Sequence, residues 1–375
     1  MAEEPVDAET PAEEPTAPVE DHGSRSGPPP ESTRTADRAR PYRMRRFRLL
    51  AWIALVLAAV VVGASVLWVR ASPTEAELWE QARLIGKDKL RIGVKGDIPG
   101  ISYRERSGSD VFTGFEIDIA RMIAADLGFP SGKVEFLPIE TEDRARMMAT
   151  DGKGKPVKVD LVISSFSVTP DREKKPAIGF SMPYLYTEQS VITRSGYLGN
   201  ITSLGQLKDM KVCTLGTSTS EQELAKATKA TVTGKNLLSD CVAGLKDDEF
   251  DAVTTDAALL AGFVNESLKS KETAKRLKYH DIALDKDEMW AVNVGPNKAL
   301  RTLVNLSLYR SCADPHDQRW EKAYEKHIGS MFPDVPPHER PPMGVAQPEQ
   351  PCGPPPEVRR WPWERTFPVR EGLSR

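Results

Sequence analysis

The sequence predicts an α/β protein with two lobes and a cleft between them, preceded by one transmembrane helix. Short apolar strands alternate with amphipathic helices from residue 89 onward, which is typical of a mainly parallel sheet covered on both faces. The same alternation starts again after residue 184, so the chain builds two α/β units in tandem. An apolar run without charged residues, at 49–69, precedes both units.

The apolar run at residues 49–69 predicts a membrane-spanning helix. At ~1.5 Å per helical residue it can cross a hydrocarbon core of ~30 Å. Four arginines crowd its N-terminal side, whereas Arg70 stands alone on the other side: Arg43, Arg45, Arg46 and Arg48. This bias predicts a cytoplasmic N-terminus and an extracellular or periplasmic domain. The alternative is a cleaved signal peptide, whose apolar region normally has only ~7–15 residues.

Changes in composition along the chain predict its domains. Both ends are rich in proline and poor in apolar periodicity, which is typical of disorder. The predicted parts are a disordered cytoplasmic tail (1–48), a transmembrane helix (49–69), a stalk helix or linker (70–88), a two-lobed domain (89–330) and a Pro-rich C-terminal tail (331–375). Within the domain, lobe 1 is predicted to hold 89–184 and 296–330, and lobe 2 to hold 190–293.

The first lobe is predicted from strands and helices that alternate along the chain. The helix at 115–127 carries its apolar residues on one face and ends at Gly128, as amphipathic helices commonly do. The predicted strands are 90–94, 134–137 and 159–163, and the predicted helices are 115–127 and 142–149.

The second unit repeats the pattern and then returns to the first. Its predicted strands are 190–193, 211–215, 231–235, 251–254 and 288–293, and its helices are 203–208, 219–228, 239–246 and 256–264, with closing helices at 297–311 and 315–328. Ligands of such sheets bind beyond the carboxyl ends of the strands, and a cleft between two lobes suits hinge closure. We expect the hinge near residues 184–189 and 293–296.

Net charge and cysteine content restrict the partners and cofactors. A formal net charge of −3 gives no reason to expect nucleic acid as a partner. The four cysteines all lie on the predicted exterior side: Cys213, Cys241, Cys312 and Cys352. An even count there favours disulfides, with three possible pairings, and free buried thiols are the alternative. Because there is no C-x-x-C motif and no Cys/His cluster, we expect no metal and no cofactor.

The most informative stretch is VDLVISSFSVTPDR at residues 159–172. A short apolar strand runs into a loop of small polar residues that ends at Pro170, with Arg172 two positions later. Backbone N–H groups and hydroxyls beside a guanidinium are the groups that bind a carboxylate through a planar fork. The stretch therefore predicts a carboxylate site, unless Arg172 is a surface residue that stabilises its own loop.

Several motifs between residues 90 and 329 together resemble one known family. They are LRIGV (90–94), TGFEID (113–118), the stretch at 159–172, FSMPY (180–184), KVCTLGTST (211–219) and FDAVTTD (250–256). In this order and spacing the chain resembles the extracytoplasmic solute-binding proteins for polar amino acids, the family 3 receptors of ABC importers. The resemblance implies a type II periplasmic-binding-protein-like fold, an amino acid as ligand and an ABC permease as partner.

The resemblance implies roles for three residues of the first lobe. Arg172 stands where the family arginine pairs with the α-carboxylate of the ligand. Ser167 stands where a threonine usually hydrogen-bonds the same group, and Ser165 where a small residue offers its backbone.

The second lobe contributes four further residues by the same resemblance. Thr217, Ser218 and Thr219 match a loop at a helix start that donates backbone N–H groups, a geometry that favours anions by itself. Asp256 matches the carboxylate that receives the α-ammonium group of the ligand. Asp256 also opens a predicted helix, so an N-cap is the alternative role.

Selectivity for the ligand side chain is predicted from two cations. KGDIPG at 95–100 resembles a stretch of glutamate-type receptors, from which Gly96 and Ile98 depart. Arg144 matches an arginine that such receptors use for the distal carboxylate. Lys95 and Arg144 beside Arg172 would be costly to bury unless the ligand brings two negative charges. They indicate glutamate or aspartate, and a solvated surface charge is the alternative for each.

Glutamate-type members also carry a cysteine pair comparable to Cys213 and Cys241, so the resemblance implies a disulfide there and leaves Cys312 to pair with Cys352. The leading hypothesis is a membrane-tethered receptor that delivers its ligand to an ABC importer. The alternative is a sensing subunit that signals through a membrane partner. We expect no enzyme activity, because the cleft segments lack a paired acid/base constellation.

Overall fold

The structure, a computed structural model, describes residues 40–69, 72–106, 110–282, 288–331 and 351–359. It divides into two compact units, Met1–Arg70 and Ala71–Arg375, and each unit is described by itself. The tails predicted at 1–48 and 331–375 lie outside the described residues except at 40–48, 331 and 351–359.

The first unit contains the helix α1 (Arg40–Val69). Its part Met44–Ser65 is apolar and long enough to cross a membrane, and its side chains are exposed, unlike those of a core helix. The helix begins nine residues before the predicted start at Leu49, so the predicted disorder of residues 40–48 is wrong. Arginine is a good helix former, and extending an existing helix adds one hydrogen bond for each residue fixed.

The second unit alternates strands and helices. The helices are α2 (Glu75–Gln81), α3 (Phe115–Asp126), α4 (Pro170–Glu173), α5 (Thr219–Ala227), α6 (Leu238–Lys246), α7 (Ala257–Leu268), α8 (Lys298–Ala313) and α9 (Arg319–Tyr324). The strands are β1 (Leu90–Val94), β2 (Asp97–Ile98), β3 (Ser102–Arg104), β4 (Phe112–Thr113), β5 (Val134–Pro138), β6 (Met148–Thr150), β7 (Pro156–Lys158), β8 (Leu161–Val162), β9 (Phe180–Thr187), β10 (Gln189–Arg194), β11 (Lys211–Leu215), β12 (Thr231–Lys235), β13 (Ala252–Asp256), β14 (Leu277–His280) and β15 (Glu288–Asn293).

Two five-stranded sheets form the cores of the two lobes. The strand order is β5-β1-β8-β15-β9 in lobe 1 and β12-β11-β13-β10-β14 in lobe 2. Four strands of each sheet run in one direction, whereas β15 in lobe 1 and β10 in lobe 2 run against them. The predicted mainly parallel sheets are therefore each interrupted by one strand. Each reversed strand is the first that the chain forms after it crosses between lobes.

The boundary of lobe 2 differs from the prediction. Strand β15 was expected in lobe 2, but it pairs with β8 and β9 in the sheet of lobe 1. The chain therefore returns to lobe 1 between His280 and Glu288, before the predicted hinge at 293–296. The first crossing lies between β9 and β10, within the predicted hinge at 184–189. An apolar strand pattern does not state which sheet the strand joins, because periodicity reports local structure only.

The helix predicted at 142–149 is absent from the described chain. Residues 141–147 form turns, and 148–150 form β6, which pairs with β7. Met147 has a φ of +56°, a backbone conformation that ends a helix. The side chain of Arg144 is buried against backbone carbonyls. These tertiary contacts override a local helical propensity, which is only a weak preference.

Aromatic side chains fill the centre of lobe 1. Phe115 on α3 packs edge to face against Trp320 at 5.8 Å between ring centroids, and Tyr184 lies 6.4 Å from Trp290. These rings are buried and each buries a large apolar area. They join the α3 and α9 helices to β9 and β15, the two strands next to the points where the chain passes between the lobes.

Two disulfides lie outside the cleft, and both agree with the predicted pairs. Cys213 on β11 is bonded to Cys241 on α6 within lobe 2. Cys312 on α8 is bonded to Cys352, which fixes part of the C-terminal segment to lobe 1. At its end Arg359 forms a backbone hydrogen bond to Pro73, just before α2. Crosslinks of this kind restrict the unfolded chain and so stabilise the fold.

Candidate functional site

A small polar cavity lies where the two lobes meet. Its lining combines loops of lobe 1 with the start of α5 and the end of β13 in lobe 2: Lys95, Ile98, Arg144, Ser164, Ser165, Ser167, Leu215, Ser218, Thr219, Thr255, Asp256 and Leu259. Seven of the nine predicted ligand residues are in this lining. The cavity measures about 10 Å³, about the space of one water molecule.

The other two predicted residues, Arg172 and Thr217, lie beside the cavity and contact each other across the lobes. Arg172 Nη2 donates to the carbonyl oxygen of Thr217 at 3.3 Å, and Nη1 donates to that of Ser167 at 2.7 Å. Thr169 caps the short helix α4 and thereby positions Arg172. Burial lowers the pKa of the Arg172 guanidinium, and the charge of Glu288 opposes that shift. The Arg172 guanidinium thus contacts a backbone carbonyl of each lobe.

Arg144 is fixed by the loop that follows β8. It donates to the backbone carbonyls of Thr141, Ser164 and Ser165 at 2.8–3.1 Å. Phe166 lies between two cations, with the Arg144 guanidinium 4.9 Å and that of Arg172 4.8 Å from its ring centroid, a geometry that attracts cations. Burial, followed by repulsion from Arg172, lowers the pKa of Arg144 to about 9. Arg144 is thus a buried, charged and positioned donor.

Ser165 is held in a left-handed conformation by a residue that the sequence analysis did not assign to the site. Its φ is +51°, and its N–H donates to Oε1 of Glu116 at 2.5 Å. The hydroxyl of Tyr184 donates to the same oxygen at 2.5 Å. Burial raises the pKa of Glu116. Glu116 belongs to the TGFEID motif, so the sequence contained a signal for this residue. The backbone N–H of Ser165, which was expected to contact a ligand, donates to Glu116 instead.

The second lobe presents the start of helix α5. Ser218 is its N-cap, and its hydroxyl accepts a hydrogen bond from the Glu221 N–H at 3.1 Å. Thr217 has a φ of +60°, and its N–H donates to Oε2 of Glu221 at 2.7 Å. The Thr219 hydroxyl points to the cavity side, 3.5 Å from that of Ser167. A helix start and two hydroxyls from opposite lobes make an arrangement suited to an anion.

Asp256 is buried at the end of β13, as predicted for an ammonium acceptor, and is 4 % exposed. The indole N–H of Trp290 donates to its Oδ2 at 2.6 Å, and the Ser220 hydroxyl donates to Oδ1 at 3.3 Å. Burial, together with the nearby charge of Glu288, raises the pKa of Asp256 to about 8. Asp256 is also the N-cap residue of α7, as the alternative predicted, but among the described residues its side chain makes no capping hydrogen bond.

Lys95 reaches from lobe 1 to lobe 2. Its Nζ donates to Oγ1 of Thr141 at 2.7 Å and to the carbonyl oxygen of Asn236 at 3.1 Å. Only 1 % of Lys95 is exposed, which excludes the solvated-surface alternative. Burial lowers its pKa to about 8, so the ammonium and neutral forms lie close in free energy at neutral pH.

Glu288 is the main residue that sequence reasoning missed. Its Oε2 accepts hydrogen bonds from the Ser167 hydroxyl at 2.6 Å and from the Thr219 hydroxyl at 2.9 Å. It stands at the beginning of β15, where the sequence indicates only a strand. The position of β15 beside β9, and not any local motif, brings Glu288 to the site.

Three carboxylates outside the cavity lie within 4.8 Å of one another, on Glu140, Glu142 and Asp143. Glu140 accepts a hydrogen bond from Asn236, and Asp143 pairs with Arg146. Glu140 and Glu142 are exposed and Asp143 is half-buried. The absence of a metal from the ligand site stays a prediction.

Comparison with known proteins identifies relatives with this architecture. Residues 90–330 match the profile of the bacterial extracellular solute-binding proteins, family 3. The ABC transporter glutamine-binding protein GlnH of Bacillus subtilis (strain 168) is 28 % identical over 250 residues, 66 % of this chain and 84 % of that protein. The glutamate-binding protein GluB of Corynebacterium efficiens is 26 % identical over 254 residues, 63 % of this chain and 78 % of that protein.

Solved structures show the same fold. An ancestral arginine-binding protein bound to glutamine is 28 % identical, with a TM-score of 0.54; the match covers 64 % of this chain and 98 % of that one. The predicted two-lobed periplasmic-binding-protein fold is thereby confirmed.

Proposed function

The chain belongs to the bacterial extracellular solute-binding proteins, family 3. Two relatives of the chain are named as a glutamine-binding and a glutamate-binding protein. From this premise we propose that it is a membrane-tethered receptor that closes around an acidic L-amino acid, glutamate or aspartate, and delivers it to an ABC importer. The observation that carries the proposal is the arrangement of Arg172, Ser167 and Thr219 from two lobes beside Asp256.

These groups suit the two charged ends of an α-amino acid. The Ser167 and Thr219 hydroxyls and the Arg172 guanidinium are donors that a carboxylate requires, and charge-assisted bonds of this kind are the strong ones. Asp256 is an acceptor buried in the same cavity, where an ammonium group would favour its ionised form. Ser165 is proposed to support ligand binding by fixing the loop after β8 through its contact with Glu116. Thr217 and Ser218 are proposed to do so by shaping the start of α5.

Lys95 and Arg144 are proposed to select the ligand side chain. Both are buried cations, and buried cations are stabilised by an opposite charge in their surroundings. A ligand with a distal carboxylate supplies that charge. Relatives that bind glutamine and glutamate make L-glutamine the competing ligand, because an amide accepts the same hydrogen bonds without a charge.

Hinge closure is the proposed mechanism. An amino acid is larger than the present cavity of about 10 Å³, so the lobes must separate before it enters. Contacts to both lobes form only after closure, and a ligand shifts an equilibrium only by its differential affinity for the two states. The proposed hinge lies at the two places where the chain passes between the lobes, from β9 to β10 and from β14 to β15.

The membrane tether is proposed from α1. The apolar stretch Met44–Ser65 fits one span, and the excess of arginines before it favours an N-terminus in the cytoplasm. The proposed parts are residues 1–48 inside, 70–88 as a stalk or linker and 89–330 outside. Labelling of single introduced cysteines in intact cells would test this: a residue in 1–39 that reacts with an impermeant reagent would reverse the orientation.

The ligand can be identified by thermal shift and calorimetry on the full chain in detergent micelles with the twenty amino acids. A ligand stabilises the folded state according to its concentration over Kd. We expect L-glutamate or L-aspartate to raise the melting temperature most, with the D-enantiomers as matched controls. A larger effect of L-glutamine would correct the side-chain assignment, and no effect from any amino acid would overturn the proposed function.

A sensing subunit is the second candidate, because the single span follows an N-terminal segment that a membrane partner can contact. Deletion of residues 2–39 distinguishes the two. Loss of a cytoplasmic partner in a pulldown, with amino-acid uptake unchanged, would favour sensing. We propose binding without turnover in both cases, and conversion of the bound amino acid in a sensitive assay would contradict this.

A further inference from the structure

Glu288 connects the two lobes through a single carboxylate oxygen. Its Oε2 accepts from Ser167 of lobe 1 at 2.6 Å and from Thr219 of lobe 2 at 2.9 Å. Glu288 itself belongs to lobe 1, because β15 pairs with β9 there. It is also the first described residue after the second crossing between the lobes. Its side chain therefore lies where the lobes meet, beside the cavity, and contacts two of the hydroxyls that line it.

The contacts of Glu288 are those expected of a ligand carboxylate. The distance of 2.6 Å to the Ser167 hydroxyl lies in the range of about 2.5–2.7 Å for a hydroxyl that donates to a carboxylate. Glu288 also lies close enough to Arg172 that its charge opposes the effect of burial on that guanidinium. Ser167, Thr219 and Arg172 are the three groups that the proposed function assigns to the α-carboxylate.

We propose that Glu288 is an internal competitor of the ligand: its carboxylate occupies the α-carboxylate position in the closed form and must leave before an amino acid is bound. This inference rests on the proposed function and specifies how the same site is regulated. The structure thus contains both the carboxylate site and a carboxylate of its own that fills it.

Two physical consequences follow from such a competitor. The apparent Kd of a ligand equals its intrinsic Kd divided by the fraction of protein that is competent to bind. Occupation of the site by Glu288 lowers that fraction and therefore weakens ligand binding. The Ser167–Glu288–Thr219 bridge also favours closure without a ligand, because it forms only when the lobes meet. Removing the Glu288 carboxylate should strengthen binding and open the ligand-free protein.

The first experiment is calorimetry with L-glutamate and with L-glutamine on the full chain in detergent micelles. Charge-assisted hydrogen bonds are strong enough that Glu288→Ala should lower Kd by about tenfold for the amino acid that the wild type binds. Glu288→Gln, which keeps the shape and removes the charge, should lower it by a smaller factor. Glu321→Gln, at an exposed position on α9 far along the chain, is the matched control and should leave Kd unchanged.

The second experiment needs no ligand. Spin labels at Lys175 in lobe 1 and Lys229 in lobe 2, both exposed, report the distance between the lobes. The ligand-free Glu288→Ala protein should shift to longer distances than the wild type and the Glu321→Gln control. An unchanged distance would show that Glu288 does not hold the lobes together and would overturn the proposal.

The two experiments separate failure of this inference from failure of the proposed function. Weaker or unchanged amino-acid binding by both Glu288 variants, with a wild type that binds, overturns the competitor and leaves the receptor function in place. If the wild type binds no amino acid, the proposed function fails, and the distance measurement still decides whether Glu288 bridges the lobes. A melting temperature for each variant confirms that it is folded.

Discussion

The two ends of the cleft close in different ways. At the grip end, formed by Ser167, Arg172, Thr219 and Glu288, a carboxylate oxygen lies between hydroxyls of opposite lobes. At the lysine end, formed by Lys95, Asp97, Asn236 and Ser239, the lobes contact each other directly. There Lys95 Nζ donates to the Asn236 carbonyl at 3.1 Å, and the Ser239 N–H donates to Oδ2 of Asp97 at 3.0 Å.

The difference separates the groups that respond to a ligand from those that hold the lobes together. At the lysine end, donors of one lobe bond directly to acceptors of the other, although among the described residues the buried Oδ1 of Asp97 has no hydrogen-bond partner. At the grip end, the two hydroxyls donate to a carboxylate, and the Arg172 guanidinium, which donates to two backbone carbonyls, carries a charge that a nearby anion stabilises. A ligand that supplies this anion changes the free energy of closure mainly at the grip end. We therefore expect substitutions at the grip end to have the larger effects on binding.

The largest expected effect is that of Arg172→Ala. Loss of a charge-assisted contact to the α-carboxylate, worth about 3 kcal/mol, should raise Kd by about 100-fold. Arg172→Lys is the matched control: it keeps the charge without the planar fork and should retain part of the affinity. Calorimetry measures both Kd values. An Arg172→Ala protein that is folded and binds as the wild type does would show that the carboxylate site is misplaced.

The next effect is the pH dependence of binding at Asp256. Its raised pKa of about 8 means that the group is mostly protonated at pH 7, whereas an ammonium ligand favours the ionised form. Binding should release a proton, and affinity should rise from pH 6.5 to pH 8 by about tenfold and then level off. L-Glutamine is the suitable ligand, because its side chain carries no charge for Lys95 to attract.

The control for this pH dependence is Asp256→Asn, which should bind more weakly at pH 8 and show a flat profile. The ionisable groups around Asp256 include Glu288 and Arg144, whose charges act on it in opposite directions. A wild-type affinity that falls as the pH rises from 6.5 to 8 would contradict the assignment of Asp256 to the ammonium group.

The smallest of these effects is expected at the lysine end. Lys95→Met keeps much of the side-chain volume and removes the ammonium group. Kd for L-glutamate should therefore rise by about fivefold, which is within the range measured for ion pairs from exposed to buried positions. Kd for L-glutamine should change much less. An equal change in Kd for both ligands would show that Lys95 only connects the lobes and does not select the ligand side chain. The difference between the grip end and the lysine end would then be larger than proposed.

The sequence predicted which residues meet in the cavity, because the motifs that carry the resemblance are local. Ser167 lies in the loop after β8 and Arg172 in the short helix α4 that follows, and Ser218 and Thr219 open α5. The structure places them together, beside Asp256 at the end of β13. Both cysteine pairs and most strands were predicted in the same way. The roles of these residues in binding remain proposals that the substitutions above test.

Residues that act through distant contacts could not be predicted. Glu288 lies 121 positions from Ser167, and Tyr184 lies 68 positions from Glu116. The helix expected at 142–149 failed for the same reason, because burial of Arg144 under the Ser164 and Ser165 carbonyls decides the conformation of that segment. Local propensity is a weak preference that such tertiary contacts override.

The sequence by itself determined the two-lobed α/β fold, the apolar N-terminal helix and the polar groups brought together between the lobes, because periodicity and local motifs record them. Only the tertiary structure decided that β15 joins lobe 1, that the second crossing precedes it, and that Glu288 accepts hydrogen bonds from Ser167 and Thr219 of opposite lobes. Strand order and contacts between lobes depend on which distant segments pack together, and a local pattern contains no record of that choice.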